Sequence, residues 1–268
     1  IVPYFYFFAP KARKASIEYW KNIRPLYGPL KIRLMVLKHF YRFGTLLLDR
    51  QYQKLYPHLV FKHEEKGFSN IAKSIEKNTP LILVGAHVGA WEMAIVNLAD
   101  HNVLNKIKTV QFEFNQVAVP KHQILVNQID SPIFDIREQL NEGKVVGMLA
   151  DRPINNSHVL IPFLSKLFPF DTTSFRVAAA TNAELAFFFS FKQKDNKYKF
   201  ICTKPKYYKY DTATNKNDQL ILWLKEFSET LEGLLNEHPD QWLNFYPAWS
   251  CEPVLLNTHS PNKVSTAS

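Results

Sequence analysis

Residues Pro80 to Glu92 read PLILVGAHVGAWE, and the fold turns on how this stretch is read. The apolar run Leu81-Ile82-Leu83-Val84 stops at Gly85. Four apolar residues bounded by Pro and Gly read as a short buried strand. Trp91 to Asp100 follows, with Met93, Ile95, Val96, Leu98 and Ala99 as its apolar positions, and reads as a helix. His87 then sits where a strand ends, and Glu92 falls in the first turn of the next helix. In open α/β sheets that carboxyl edge is where ligands bind.

Working outward, strands and helices alternate. Phe68 to Lys77 predicts a helix with Phe68, Ile71, Ala72 and Ile75 on one face. Lys106 to Phe112 (KIKTVQF) and Lys144 to Ala150 (KVVGMLA) read as strands, the latter ending in Asp151-Arg152-Pro153. Between them Val119 to Asn127 is ambiguous, and Phe134 to Glu142 is helical with Gly143 as its C-cap. Val159 to Leu164 is an apolar segment, and a helix over Thr172 to Thr181 is entered through Asp171. Strands follow at Leu185 to Phe191 and Tyr198 to Thr203, then an amphipathic helix at Leu220 to Asn236. His238 to Trp249 (HPDQWLNFYPAW) forms an aromatic terminal motif. The pattern predicts an α/β fold, with a central mixed, partly parallel sheet flanked by helices.

Upstream the chain changes character. Residues 1–66 hold 13 Lys+Arg and 4 Asp+Glu, while the other 202 residues balance at 20 of each. The whole net charge of +9 therefore lies in the N-terminal quarter. Such a block suits an anionic membrane, an acidic protein or nucleic acid; nucleic acid is set aside because no matching motif accompanies it. Lys11 to Arg24 predicts a basic helix. Leu30 to Tyr56 predicts a long one, with Leu34, Leu37, Tyr41, Leu48 and Tyr52 near helical spacing and basic residues between. That pattern lies on a membrane, or packs on a core and solvates its basic face. Ile1 to Pro10 (IVPYFYFFAP) is too short to span a bilayer. It is expected to be the end of a longer membrane segment upstream of Ile1, the alternative being part of the core.

The reading divides the chain into a basic helical, membrane-facing layer at 1–66, an α/β core at 67–250 and a disordered polar tail at 251–268. Helices and core are expected to form one domain at this length. Cys202 and Cys251 are far apart in sequence and form no metal or redox pattern. No metal site is expected.

The candidate chemistry starts at His87 and Glu92. A histidine serves as general base near neutral pH, and better when a carboxylate holds its other ring nitrogen. Within one helix, positions i and i+5 face apart; across a strand-to-helix turn the two side chains can meet. No Ser or Cys nucleophile lies in an elbow nearby, so the base would act on a substrate hydroxyl. A helix-capping histidine and a surface glutamate give the same spacing. Asp151 and Arg152 end another strand, where Arg152 could hold a phosphate or an oxyanion; a loop-closing salt bridge fits equally. Arg176, behind Thr172, Thr173 and Ser174, could add an anion-binding helix start, though simple N-capping explains the hydroxyls. His238, Trp242, Tyr246 and Trp249 are assigned to packing.

At these residues the sequence resembles a family. GAHVGAWEMA is similar to the His-x4-Asp/Glu motif of the glycerolipid acyltransferases, in the branch of late lipid A biosynthesis acyltransferases. MLADRP resembles that branch's Ala-Asp-Gln or Ala-Asp-Arg strand end, LIPFL its Val-Pro-Phe-Phe segment, and HPDQWLNFYPAW its terminal Pro-Glu-Gln element. The likeness covers residues 10–250, and its flavour looks like versions in Bacteroidetes-type bacteria. It implies transfer of an acyl chain from acyl-carrier protein, or acyl-CoA, to a hydroxyl of lipid A or another lipid or pigment acceptor. It places that transfer at the cytoplasmic face of the inner membrane, with no cofactor. His87 would be the base, Glu92 its orienting partner, and Asp151 and Arg152 part of a second site segment. One departure stands out. Many members carry an Arg near the end of the second strand, where this chain reads Gln111-Phe112-Glu113-Phe114. Rival readings are a non-catalytic lipid-binding or assembly protein on the same fold, and an esterase or thioesterase.

Overall fold

The computed structural model describes residues 2–56, 61–91, 106–112, 123–126, 133–153, 157–194, 196–246 and 249. Glu92, the rest of the helix expected at Trp91–Asp100, Cys251 and the tail lie outside them.

Three helices come first: α1 (Val2–Phe8), α2 (Pro10–Ile23) and α3 (Pro29–Leu55). Both α2 and α3 start with Pro in the first turn, where its missing N–H costs nothing. Then follow β1 (His63–Lys66), α4 (Phe68–Glu76), β2 (Leu81–Gly85), β3 (Ile107–Phe112), β4 (Gln123–Val126), α5 (Ile133–Asn141) and β5 (Val145–Leu149). The second half holds β6 (His158–Phe163), β7 (Lys166–Asp171), α6 (Thr173–Thr181), β8 (Glu184–Lys192), β9 (Tyr198–Cys202), β10 (Lys206–Tyr207) and α7 (Lys216–Glu237).

The main sheet runs β1-β9-β8-β2-β5-β3-β4, with β10 on β8. Its centre is parallel: β2 pairs with β5 and β8, β5 with β3, and β3 with β4. β9 and β10 pair antiparallel with β8, and β1, parallel to β9, shares their direction. The sheet is thus mixed and mostly parallel, with helices about it. All five residues of β2 are buried, as expected of a strand covered on both faces. Alternation sorts them: Ile82 and Val84 join a cluster with α5, α6, α7 and the N-terminal helices, whereas Leu81 and Leu83 join one with α4 and Leu46 of α3.

β7, β1 and β10 have no counterpart in the sequence reading. Pro169 hid β7, since proline argues against a paired strand; here the strand belongs to a separate β6–β7 hairpin, where Pro169 faces Leu160. Its two-residue turn, Leu164-Ser165, has positive φ at both positions without a glycine to signal it. β1 (HEEK) is too polar to announce a strand. It pairs with β9, so the basic segment 1–66 supplies an edge strand as well as three helices.

Helix α3 buries Ile32, Val36, Phe40 and Leu46 on its core side. The apolar positions singled out in sequence lie mostly on another side: Leu34, Tyr41, Leu48 and Tyr52 are exposed, with Leu30 and Leu55. Tyr4, Phe7 and Phe8 of α1 are exposed too. Among the described residues no helix is long and apolar enough to cross a membrane.

Candidate active site

The parallel run of β2 and β5 brings their carboxyl ends together, with Gly85 opposite Leu149. The next residue of β5's chain donates Ala150 N–H to Gly85 O at 3.0 Å. Two residues past Gly85 stands His87, and two past Leu149 stands Asp151. The side chains meet: His87 Nδ1 is 2.8 Å from Asp151 Oδ1. The carboxylate's other oxygen, Oδ2, accepts the His87 backbone N–H at 3.0 Å and the indole N–H of Trp242 at 2.8 Å.

These contacts set the charges. Asp151 is fully buried, and burial alone would raise its carboxyl. The adjacent His87, through its charge and its two hydrogen bonds, and then the Arg152 charge outweigh this and hold the carboxyl below its ordinary value. An ionised Asp151 only accepts, so His87 Nδ1 carries the proton. Nε2 is then the ring's basic nitrogen, and it makes no hydrogen bond among the described residues. The imidazole is 27 % exposed, so it can meet a substrate.

The turn bearing His87 is stapled by the terminal motif. Val88 forms a β-bridge with Trp242. Leu243 N–H donates to His87 O at 2.6 Å, and Gly89 N–H to Gln241 O at 2.7 Å. The Gln241 carboxamide then grips both backbone groups of Lys192, at 2.8 Å each. Gly89 has φ +55°, and a Cβ there would lie 1.9 Å from Ser190 O, so only glycine fits. Trp242 packs in the aromatic core, as its assignment to packing expects, and in addition donates to Asp151. Sequence reasoning named Asp151 as a site residue but gave the role of His87's partner to Glu92, and it missed Asn244. The one signal available was that both strand ends belonged to one sheet edge.

Arg152 stands at the rim. Its Nε–H donates to Asn244 Oδ1 at 2.7 Å, and Asn244 Nδ2 donates to Asp151 O at 3.0 Å. The guanidinium lies 5.6 Å from the Tyr246 ring centroid and makes no ion pair among the described residues. Arg176 is not brought to this cluster: it is exposed on α6, its charge felt by Tyr210. The start of α6 is capped by Asp171, which accepts Thr173 N–H at 2.8 Å. Glu92, the expected partner of His87, lies outside the described residues. The described residues contain no group of three or more His, Cys, Asp or Glu that could hold a metal ion.

A second layer reaches back to the N-terminal helices. His39 Nε2–H donates to Trp242 O at 2.8 Å, and its Nδ1 accepts from Ser16 Oγ at 2.9 Å. Burial lowers its pKa to about 4, against smaller raising effects of the Trp242 carbonyl and Asp240, so the ring is neutral. Tyr19 O–H donates to Pro239 O at 2.8 Å, and Arg42 bonds Asp240 at 3.2 Å. Helices α2 and α3 thus brace the strap that holds Asp151.

Compared with known proteins, residues 57–250 match the family model described as bacterial lipid A biosynthesis acyltransferase. No curated protein matches the chain.

Proposed function

Because this chain belongs to the bacterial lipid A biosynthesis acyltransferase family, and is an acyltransferase on that ground, we propose that His87 and Asp151 are its acyl-transfer centre. The observation that carries this is the 2.8 Å bond from His87 Nδ1–H to a buried carboxylate, which leaves Nε2 as the base. Nε2 removes the proton from an acceptor hydroxyl, and the oxygen attacks the thioester carbonyl. The imidazolium that forms is stabilised by Asp151, as in any carboxylate–histidine base pair. Collapse of the tetrahedral intermediate expels the thiolate, which takes the proton back from His87. Arg152, tethered at the rim by Asn244, offsets charge on the oxyanion or on a substrate phosphate. Glu92 is a second candidate partner of His87, as the family resemblance implies.

The donor is a fatty acyl thioester on acyl-carrier protein or coenzyme A, and the acceptor is a hydroxyl of lipid A or a related lipid. No cofactor takes part. The enzyme works at the cytoplasmic face of the bacterial inner membrane. Support for this comes from the exposed Leu30, Leu34, Tyr41, Leu48 and Tyr52 beside the exposed Lys31, Arg33 and Lys38 of α3. Apolar side chains flanked by cations suit an interfacial helix on anionic lipid.

The test is transfer of a radiolabelled acyl chain from acyl-carrier protein to lipid A precursor. His87→Ala should lose about 100- to 10,000-fold in turnover, the usual worth of a general base. Near-normal transfer by this variant would sink the mechanism.

A further inference from the structure

His39 of α3 is buried in a nest of aromatic rings. Its imidazole centroid lies 4.5 Å from that of Phe245, 5.5 Å from Tyr19 and 6.2 Å from Trp20. Packing alone does not ask for histidine there. A phenyl ring fills a similar space and brings no polar atom that burial must satisfy. Both ring nitrogens are hydrogen-bonded here, and the direction of those bonds leads to the base. The Trp242 carbonyl only accepts, so His39 Nε2 carries the proton and Nδ1 accepts from the hydroxyl of Ser16. Ser16, fully buried on α2, thereby selects the tautomer.

The Trp242 carbonyl belongs to the same peptide unit as the Leu243 N–H, and that N–H donates to His87 O at 2.6 Å. The unit is planar and trans. Its carbonyl and N–H point in opposite directions, so a bond that fixes one end aims the other. An accepted hydrogen bond also polarises the amide and strengthens its N–H as a donor. Trp242 meanwhile sends its indole N–H to Asp151 Oδ2 at 2.8 Å. One residue thus reaches both members of the base pair, His87 through the backbone and Asp151 through the side chain. His39 is the group that holds its carbonyl.

We propose that His39 is a positioning residue for acyl transfer, acting through the Trp242–Leu243 peptide to hold His87 against Asp151, with Ser16 setting its tautomer. The proposal rests on the acyl-transfer reading of that pair. His39 is 1 % exposed and does not meet a substrate, so its effect is on geometry. Misplacing a reacting group by about 1 Å can cost about 100-fold in rate.

The experiment compares wild type with His39→Phe, His39→Gln and Ser16→Ala, each checked for folding by near-ultraviolet circular dichroism. His39→Phe keeps a ring and removes the donor, whereas His39→Gln keeps an N–H toward Trp242 O. In transfer assays His39→Phe should lower kcat about tenfold or more with both KM values little changed, and His39→Gln should recover most of the loss. The second readout is nuclear magnetic resonance on chains with carbon-13 in the tryptophan carbonyls and nitrogen-15 in leucine. Trp223-Leu224 and Trp242-Leu243 are the two Trp-Leu steps in the sequence, and the first, inside α7, serves as the internal reference. In His39→Phe the Leu243 amide proton should move upfield as its bond to His87 weakens, and His39→Gln should return it toward the wild-type position. If His39→Phe does not fold, Ser16→Ala carries the test: loss of the hydroxyl lets the His39 tautomers mix, which should move the same signal and lower kcat. In the variant that carries the test, an unmoved Leu243 signal or a wild-type kcat overturns the proposal. Equal losses in His39→Phe and His39→Gln also overturn it, leaving a packing role. The amide signal needs no turnover, so failure of wild type to transfer an acyl group counts against the acyl-transfer reading separately.

Discussion

The indole N–H of Trp242 donates to Asp151 Oδ2 at 2.8 Å, the same carboxylate whose Oδ1 is bonded to His87. A residue of the terminal aromatic motif thereby aims a group at the end of β5. Trp242→Phe keeps most of the ring volume and removes the donor. Asp151 then retains the His87 contacts but loses one of the donors that support its charge. The expected cost is about 1–3 kcal/mol in stability, with a fall in kcat larger than any change in KM. Chemical denaturation and steady-state kinetics on the same preparation would separate the two effects.

Asp151→Asn tests which carboxylate serves the base. The amide cannot accept in the same way from His87 Nδ1–H and favours the wrong tautomer. Turnover should fall on the order of 100-fold or more, with circular dichroism unchanged. Glu92→Gln, measured beside it, should cost less if Asp151 is the main partner. The reverse ranking would return that role to Glu92.

Acid should loosen the brace before it unfolds the core. His39 is neutral in the folded chain, its pKa lowered by burial to about 4, whereas an unfolded histidine titrates near 6.5. Between those values the unfolded state binds more protons. The associated stability is present above about 6.5 and is lost as pH falls through about 4, up to about 3 kcal/mol. His39→Gln keeps a donor toward Trp242 O and does not titrate. Urea midpoints followed from pH 7 to 4 should drop less steeply in the variant. His238, also lowered by burial, leaves a residual slope.

Gly89→Ala should be poorly tolerated. The methyl would meet Ser190 O at 1.9 Å on a backbone with φ +55°, and left-handed backbone alone costs about 1–2 kcal/mol for a residue with Cβ. We expect a loss of more than about 2 kcal/mol and displacement of His87, read as a lower melting temperature with activity near zero. A variant with wild-type stability and kcat would rule out the tight approach of this turn to β8.

Binding to vesicles containing phosphatidylglycerol should weaken with salt, because screening acts on the cationic flank of α3. Leu34→Ser/Tyr41→Ser/Leu48→Ser should lower it further in sedimentation assays while leaving the core side of α3 intact. Binding equal to wild type would remove this face from the membrane reading.

Much of this protein was legible in one dimension. Periodicity and punctuation located β2, β5, β8, β9, α4, α6 and α7 to within a few residues, because apolar runs and helical spacing report burial along the chain itself. The PLILVGAHVGAWE stretch placed His87 at a strand end by the same logic, and the basic block was plain from counting. What no local pattern holds is which strand lies beside which. Strands β2 and β5 are some sixty residues apart, and their parallel register sets His87 against Asp151. Trp242 reaches that pair only because the chain after α7 returns as a strap along Val88. The helical stripe of α3 was equally visible, but its exposure was not: two apolar faces look alike in sequence, and packing chose Ile32, Val36 and Phe40 for the core. The sequence by itself determined the elements and the candidate residues. Tertiary structure decided the partners, since hydrogen bonds and buried charge depend on distances through space that spacing along the chain does not encode.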